Sequence, residues 1–221
     1  MLLAIDTATR YASIALYDAS GVVVEKSWRS ENNHSVEVLP AIARSLSQQE
    51  MSPSDLAAVA VAKGPGSFTG LRIGMSIGKG LCLTLDIPII AIPTLDIVAY
   101  ATGDPGYTVY AVLQAGRGRI CVAPYRFEEG LPVQTDAVQI VETSQWDIEE
   151  EGPALVAGEV DDALAERLLN RADGREIYVT SLSSSLRRAG YLAELAWGKL
   201  QEGEIDDLDS LGPIYAHDPS S

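Results

Sequence analysis

The chain has 221 residues, enough for one large domain or two small ones, and its 21% charged and 47% hydrophobic content is that of a folded protein. With 31 acidic against 16 basic side chains the net charge is −15. That argues against a protein holding nucleic acid by itself or lying on an anionic membrane, since both draw on Lys and Arg.

The charge is unevenly spread: residues 1–100 carry 7 basic and 9 acidic side chains, residues 101–221 carry 9 and 22. Two lobes with different surroundings are expected. Cys82 and Cys121 both sit in apolar stretches and read as small core residues rather than a disulfide pair. Met1–Asp6 lacks a basic n-region and a cleavage site, and the longest apolar candidate for a membrane span carries Arg72 and Lys79. A soluble cytoplasmic protein, with no membrane partner, is expected.

Leu2–Ile5 is a continuous apolar run, the pattern of a strand buried on both faces. Ala12, Ile14 and Leu16 alternate with Ser13, Ala15 and Tyr17 at strand period. Asp18–Gly21 is turn chemistry, and Val22–Trp28 returns as a third strand. Val36, Leu39, Ile42, Ala43 and Leu46 recur at helical spacing, with Asn32 or Asn33 as N-cap and Pro40 dividing a short first turn from the main body. Ala57–Ala62 reads as a buried strand, Thr69–Leu85 as a helix, Ile89–Ile92 as a strand, and Thr94–Ala101 as a helix capped by Thr94. The order is βββαβαβα.

Thr102–Gly106 is the one convincing linker and falls at the charge boundary, which divides the chain into an N-terminal lobe, 1–103, and a smaller acidic lobe, 104–221. Strands follow at Thr108–Gln114 and Ile120–Phe127 around a Gly-rich turn at 115–118, with weaker strands at Val138–Val141 and Ala154–Val156. Val160–Asn170 reads as a helix, Glu176–Val179 as a strand and Ser184–Gln201 as a helix. The second half is a shortened copy of the first in element order, without a visible sequence repeat.

The most informative segment is Lys63–Gly80, where Gly64, Pro65, Gly66 and Ser67 lead into the helix. It lacks the Gly-Lys of a P-loop. A glycine-rich turn at a helix entry either cradles an anion on its N–H groups or is a tight turn with Ser67 or Thr69 as cap. Gly70, Gly74 and Gly78 lie four apart and form one stripe. Each costs about 1 kcal/mol against Ala inside a helix, so close backbone packing must offset three such penalties. The stripe faces either the chain's own sheet or another subunit.

Asp6 ends the first strand before the hydroxyl-bearing turn Thr7-Ala8-Thr9. Its carboxylate suits either a metal–phosphate complex or an Asx-type turn. His34 has Val38 four residues on, so the histidine pair of a helical metal site is missing, and His217 lies near the tail. No metal set or catalytic nucleophile stands out.

The segments Ile5–Thr9, His34-Ser35 before Leu39-Pro40, Gly64–Gly74 and Pro213-Ile214-Tyr215 closely resemble the TsaB (YeaZ) family. The likeness spans roughly residues 1–125, whereas 128–205 matches little beyond length and element order. The resemblance implies an α/β, actin-like (ASKHA, ribonuclease H-like) fold of two lobes, each a mixed sheet of βββαβαβα type, the second shortened.

It further implies a non-catalytic scaffold for tRNA N6-threonylcarbamoyladenosine synthesis that pairs with a TsaD-like catalytic paralogue. A TsaE-like ATPase joins them, and tRNA is met only indirectly. No metal or cofactor is expected. The family also forms homodimers through the same helical face.

The partner interface is then expected at Leu39, Ile42, Gly70, Leu71, Gly74, Met75 and Gly78, and a bulky residue at Gly74 is expected to abolish the complex while sparing the fold. A vestigial nucleotide or anion site is expected at Asp6, Thr7, Gly64, Gly66, Ser67 and Thr69. The second lobe departs from the family at Gln114, where an Asp is usual. An amide cannot act as a carboxylate ligand. The competing reading is an autonomous actin-like small-molecule kinase or ATPase using Asp6 and the 64–70 loop.

Overall fold

A computed structural model of the chain describes residues 1–30, 33–116 and 118–215; Asn32, Arg117 and His217 lie outside these. The described chain divides into two compact units, Met1–Thr94 together with the chain from Arg187 onward, and Leu95–Leu186.

The first unit opens with strands β1 (Leu2–Asp6), β2 (Tyr11–Asp18) and β3 (Gly21–Arg29), followed by helix α1 (His34–Gln48). Strand β4 (Ala58–Ala62), helix α2 (Phe68–Leu85) and strand β5 (Ile89–Ile92) complete the first pass, and α3 (Thr94–Tyr100) leads out. The sheet runs β3-β2-β1-β4-β5, antiparallel between β1, β2 and β3 and parallel from β1 through β5. β1 is central and buried throughout, which is why it reads as an unbroken apolar run.

Its alternate residues serve two layers. Leu3 and Ile5 join Ala12, Ile14, Leu16, Val59 and Val61 under Val38, Ile42, Leu46, Met75 and Cys82 of α1 and α2. The opposite face is covered by α5 (Ala189–Gln201), whose Ala189, Leu192, Ala193 and Ala196 are fully buried. α5 is fastened at its start: Ala189 N–H donates to Ser13 Oγ at 2.8 Å and Gly190 N–H to Glu25 Oε1 at 2.6 Å.

The second unit contains β6 (Thr108–Gln114), β7 (Arg119–Glu128), β8 (Leu131–Gln134), β9 (Gln139–Glu142), β10 (Ala154–Gly158), helix α4 (Asp162–Leu169) and β11 (Ile177–Val179). Its sheet runs β11-β10-β6-β7-β8, with β9 also on β7. β8 pairs with one end of β7 and β9 with the other, so together they fill the place of a single third strand. The strand order therefore repeats that of the first unit.

Several expectations change. A single cut at residue 103 does not match the units: residues 95–100 of α3 fall with the second unit, and α5 falls with the first. α1 runs through Pro40 without a break, and Asn33 occupies its N-cap position without a side-chain cap bond. α5 starts at Ala189 rather than Ser184, since Ser181, Ser184 and Ser185 bond among themselves in a turn that competes with helix. β8 was not expected; its signal is Glu129-Gly130, both at positive φ, which closes a two-residue hairpin pairing Glu128 with Leu131.

Candidate functional site

The glycine loop between β4 and α2 is tied down through its own backbone. Gly64 sits at φ +109°, and a Cβ there would lie 2.0 Å from the carbonyl oxygen of Ile214. Its N–H donates to Thr94 Oγ1 at 3.1 Å and its carbonyl accepts the Thr94 N–H at 2.8 Å, so Thr94 braces this loop with the hydroxyl expected to cap α3. Ser67 caps α2 by accepting the Gly70 N–H at 3.2 Å, and its own N–H donates to Ala8 O at 2.6 Å. Gly66 lies so near Ala8 that a Cβ would meet that carbonyl at 2.3 Å, whereas Thr69 is exposed.

The glycine stripe faces inward. A Cβ on Gly70 would stand 2.1 Å from the Thr7 carbonyl oxygen, on Gly74 2.3 Å from Thr7 Oγ1, and on Gly78 2.7 Å from Val61 Cγ1. Thr7 completes the contact by donating its hydroxyl to Gly70 O at 2.7 Å. The glycines thus let α2 lie directly on the head of β1 and on β4. This corrects the expected interface: Gly70, Leu71, Gly74, Met75, Gly78 and Ile42 are buried within the first unit, and of the seven residues only Leu39 is exposed, at 48%. A bulky residue at Gly74 is therefore expected to disturb the fold.

The outward surfaces of the same helices carry exposed apolar side chains. Val36 and Leu39 on α1, and Phe68 and Leu83 on α2, are 41–69% exposed. Ser35, Phe68, Thr69, Arg72, Ile73, Ser76 and Ile77 line a groove of about 450 Å³. At the start of α2 the Arg72 guanidinium lies 3.8 Å from the centre of the Phe68 ring and donates to Tyr215 OH at 2.7 Å, while the Phe68 and Tyr215 rings approach to 4.8 Å. Ile214 N–H donates to Lys63 O at 2.7 Å, so the Pro213-Ile214-Tyr215 motif straps the glycine loop.

At the head of β1, Asp6 is 1% exposed. Its Oδ1 accepts the Ala8 N–H at 2.9 Å and its Oδ2 accepts Nε of Arg187 at 2.8 Å. Arg187, 6% exposed, also donates Nη2 to Thr9 Oγ1 at 2.8 Å. His34 is buried beside this turn, with Nε2 3.0 Å from Thr9 O. Both Asp6 oxygens are therefore engaged by the chain itself, and the six residues of the expected vestigial site do not form an open anion cradle: Asp6, Thr7, Gly64, Gly66 and Ser67 are held in internal contacts, and Thr69 is exposed.

At the corresponding position of the second sheet, Gln114 ends β6. Its Nε2 donates to Glu159 O at 2.9 Å and its N–H donates to Glu159 Oε2 at 3.0 Å. Among the described residues no cluster of three His, Cys, Asp or Glu is arranged to hold a metal. The metal–nucleotide chemistry associated with this fold finds no fitting ligand set at either strand head. Sequence reasoning missed Arg187, which no local pattern connects to Asp6.

Two sheets of matching strand order, each built outward from a central first strand with two parallel strands on one side and an antiparallel meander on the other, define an actin-like protein. The family model described as "TsaD: tRNA N6-adenosine threonylcarbamoyltransferase" matches residues 9–154. The tRNA threonylcarbamoyladenosine biosynthesis protein TsaB of Bacillus subtilis (strain 168) is 32% identical over 217 residues, covering 97% of this chain and 93% of that protein. TsaB of Escherichia coli (strain K12) is 38% identical over 130 residues, covering 58% of this chain and 56% of that protein.

In structure, YeaZ from Pseudomonas aeruginosa superimposes with a TM-score of 0.82 at 24% identity, over 97% of this chain and 98% of that one, which shows the same fold. The chain belongs to the TsaB (YeaZ) family.

Proposed function

We propose that this chain is a non-catalytic subunit in the synthesis of tRNA N6-threonylcarbamoyladenosine, acting as scaffold and activator of a TsaD-like catalytic paralogue in the cytoplasm. The observation that carries the reading is the pairing of a closed strand head with an open apolar helix face. Asp6 is neutralised by Arg187, whereas Val36, Leu39, Phe68 and Leu83 are left in water on α1 and α2. The docking surface is the outward face of these helices, which replaces the buried glycine stripe in that role.

A second copy of the chain uses the same surface when the paralogue is absent. A TsaE-like ATPase joins the assembly, and tRNA is held by the partners, in keeping with the net charge of −15. No helix among the described residues is long and apolar enough to cross a membrane. The kinase or ATPase reading is disfavoured by the Asp6–Arg187 pair.

Reconstitution tests the proposal. Leu39→Asp combined with Leu83→Asp is expected to weaken binding to the catalytic paralogue at least 100-fold by calorimetry and to abolish threonylcarbamoyl transfer to tRNA, with an unchanged melting temperature. Undiminished complex formation by that variant, or tight Mg-ATP binding by the isolated chain, would overturn it.

A further inference from the structure

The head of β1 contains a feature that a non-catalytic role does not by itself require. A subunit with no use for a metal could carry a neutral side chain there, as the second sheet does with Gln114. Here the strand ends in Asp6, 1% exposed and supplied with a cation from 181 positions away. A buried carboxylate is unstable unless paired and hydrogen-bonded, so an acid at this place needs a positive charge from some source.

We infer that Arg187 is a built-in counter-cation: its guanidinium fills the cation position at the head of the first strand, and thereby excludes a metal ion from Asp6. Three features of the geometry support this. The turn N–H of Ala8 orients one carboxylate oxygen and leaves the other aimed at Arg187. The guanidinium reaches two oxygens at once, Asp6 Oδ2 through Nε and Thr9 Oγ1 through Nη2, both at 2.8 Å. A planar fork makes that double contact, and an ammonium group does not reproduce it. Finally, Arg187 lies two residues before α5, and the start of that helix has fastenings of its own, since Ala189 and Gly190 donate to Ser13 and Glu25.

The inference deepens the scaffold reading and rests on it for its meaning, but its test uses the isolated chain, so failure to bind the paralogue and failure to exclude cations are read separately. Arg187→Ala is expected to lower the melting temperature by about 10 °C. Millimolar guanidinium, and millimolar Mg²⁺ in a parallel arm, should then raise it again by several degrees. Wild type should show no rise with either ion. The double variant Asp6→Asn with Arg187→Ala should lose the cation response, since no charge remains to be balanced.

If Arg187→Ala is unfolded as purified, the same ions should restore its folded fraction, read by circular dichroism. A wild-type chain that responds to Mg²⁺ as strongly as the variant would overturn the inference. So would an Arg187→Ala chain, folded or unfolded, that responds to neither ion, or a response that persists without the Asp6 carboxylate. Arg187→Lys should behave as the alanine variant does towards guanidinium, more weakly; full wild-type stability in it would refute the forked contact.

Discussion

The two units share a strand order and complete it by different means. In the first, a continuous β3 leads into α1, and α1 and α2 roof one face of the sheet. In the second, the third strand is split between β8 and β9, and the helix that should follow is replaced by residues 143–153. Trp146 and Ile148 drop from that segment into the core beside Val112, Val122 and Val156. A helix would satisfy its own carbonyls; here Arg167 Nη2 donates to Thr143 O and Trp146 O, each at 2.7 Å, and Arg175 Nη1 to Ile148 O.

The strand heads differ in the same spirit, an ion pair at Asp6 against a neutral amide at Gln114. The sheet is what the two halves have in common, and the covering layer and the chemistry at the strand head are what each half exchanges.

The sharpest way to break this comparison is to disturb the roof of the first unit. Gly70→Val places a branched side chain where even a Cβ would meet the Thr7 carbonyl at 2.1 Å, so α2 must lift from β1. A loss of about 3 kcal/mol is expected in urea unfolding, at the upper end of overpacking penalties. Near-wild-type stability would mean that the stripe is not held against the sheet. In the second unit the equivalent support is a set of arginine bonds to backbone carbonyls. Arg167→Ala removes two charge-assisted bonds to part-buried loop carbonyls and should cost about 2 kcal/mol. It should also shift Trp146 emission to the red, because the loop that buries the indole is no longer tied.

Much of the fold was legible in the chain itself. Runs such as Leu2–Ile5 and Ala57–Ala62 carry the signature of strands covered on both faces, and the strands and helices of the first unit lie within a few residues of expectation. The glycine spacing correctly implied a close approach but left its direction open, because a four-residue period defines a face and not what covers it. Likewise an amphipathic α5 reveals that it has an apolar side without revealing which sheet receives it. Arg187 was beyond reach for the same reason: its role depends on a partner 181 residues away. The site was therefore read less well than the fold. Apart from Arg187 its residues were named, yet their contacts are tertiary.

A smaller effect separates the units by pH. Tyr110 of β6 packs edge-on to Trp146 and donates to Glu150 Oε2 at 3.3 Å. Burial first, and the Glu150 charge second, push its phenol from the ordinary value of 10 up to about 12. Between these values the unfolded chain gives up the proton while the folded chain keeps it, so stability present below pH 10 is lost as pH rises towards 12. Tyr110→Phe should flatten that alkaline decline. An unchanged decline would assign it to other groups.

The smallest change tests the glycines by what they face. Gly198 lies in α5, exposed, with nothing within 4 Å of an added Cβ, whereas Gly74 meets Thr7 Oγ1 at 2.3 Å. Both sit in helices of the first unit, so both carry the same backbone entropy penalty. Gly198→Ala removes that penalty without a clash and should stabilise by about 0.5–1 kcal/mol. That corresponds to a rise of about 2 °C in melting temperature. Gly74→Ala should move the other way. If both substitutions stabilised, the stripe on α2 would be an accident of composition, and the close seating of α2 on β1 would need another cause. Opposite signs tie the helical glycines of this chain to contact with its own sheet.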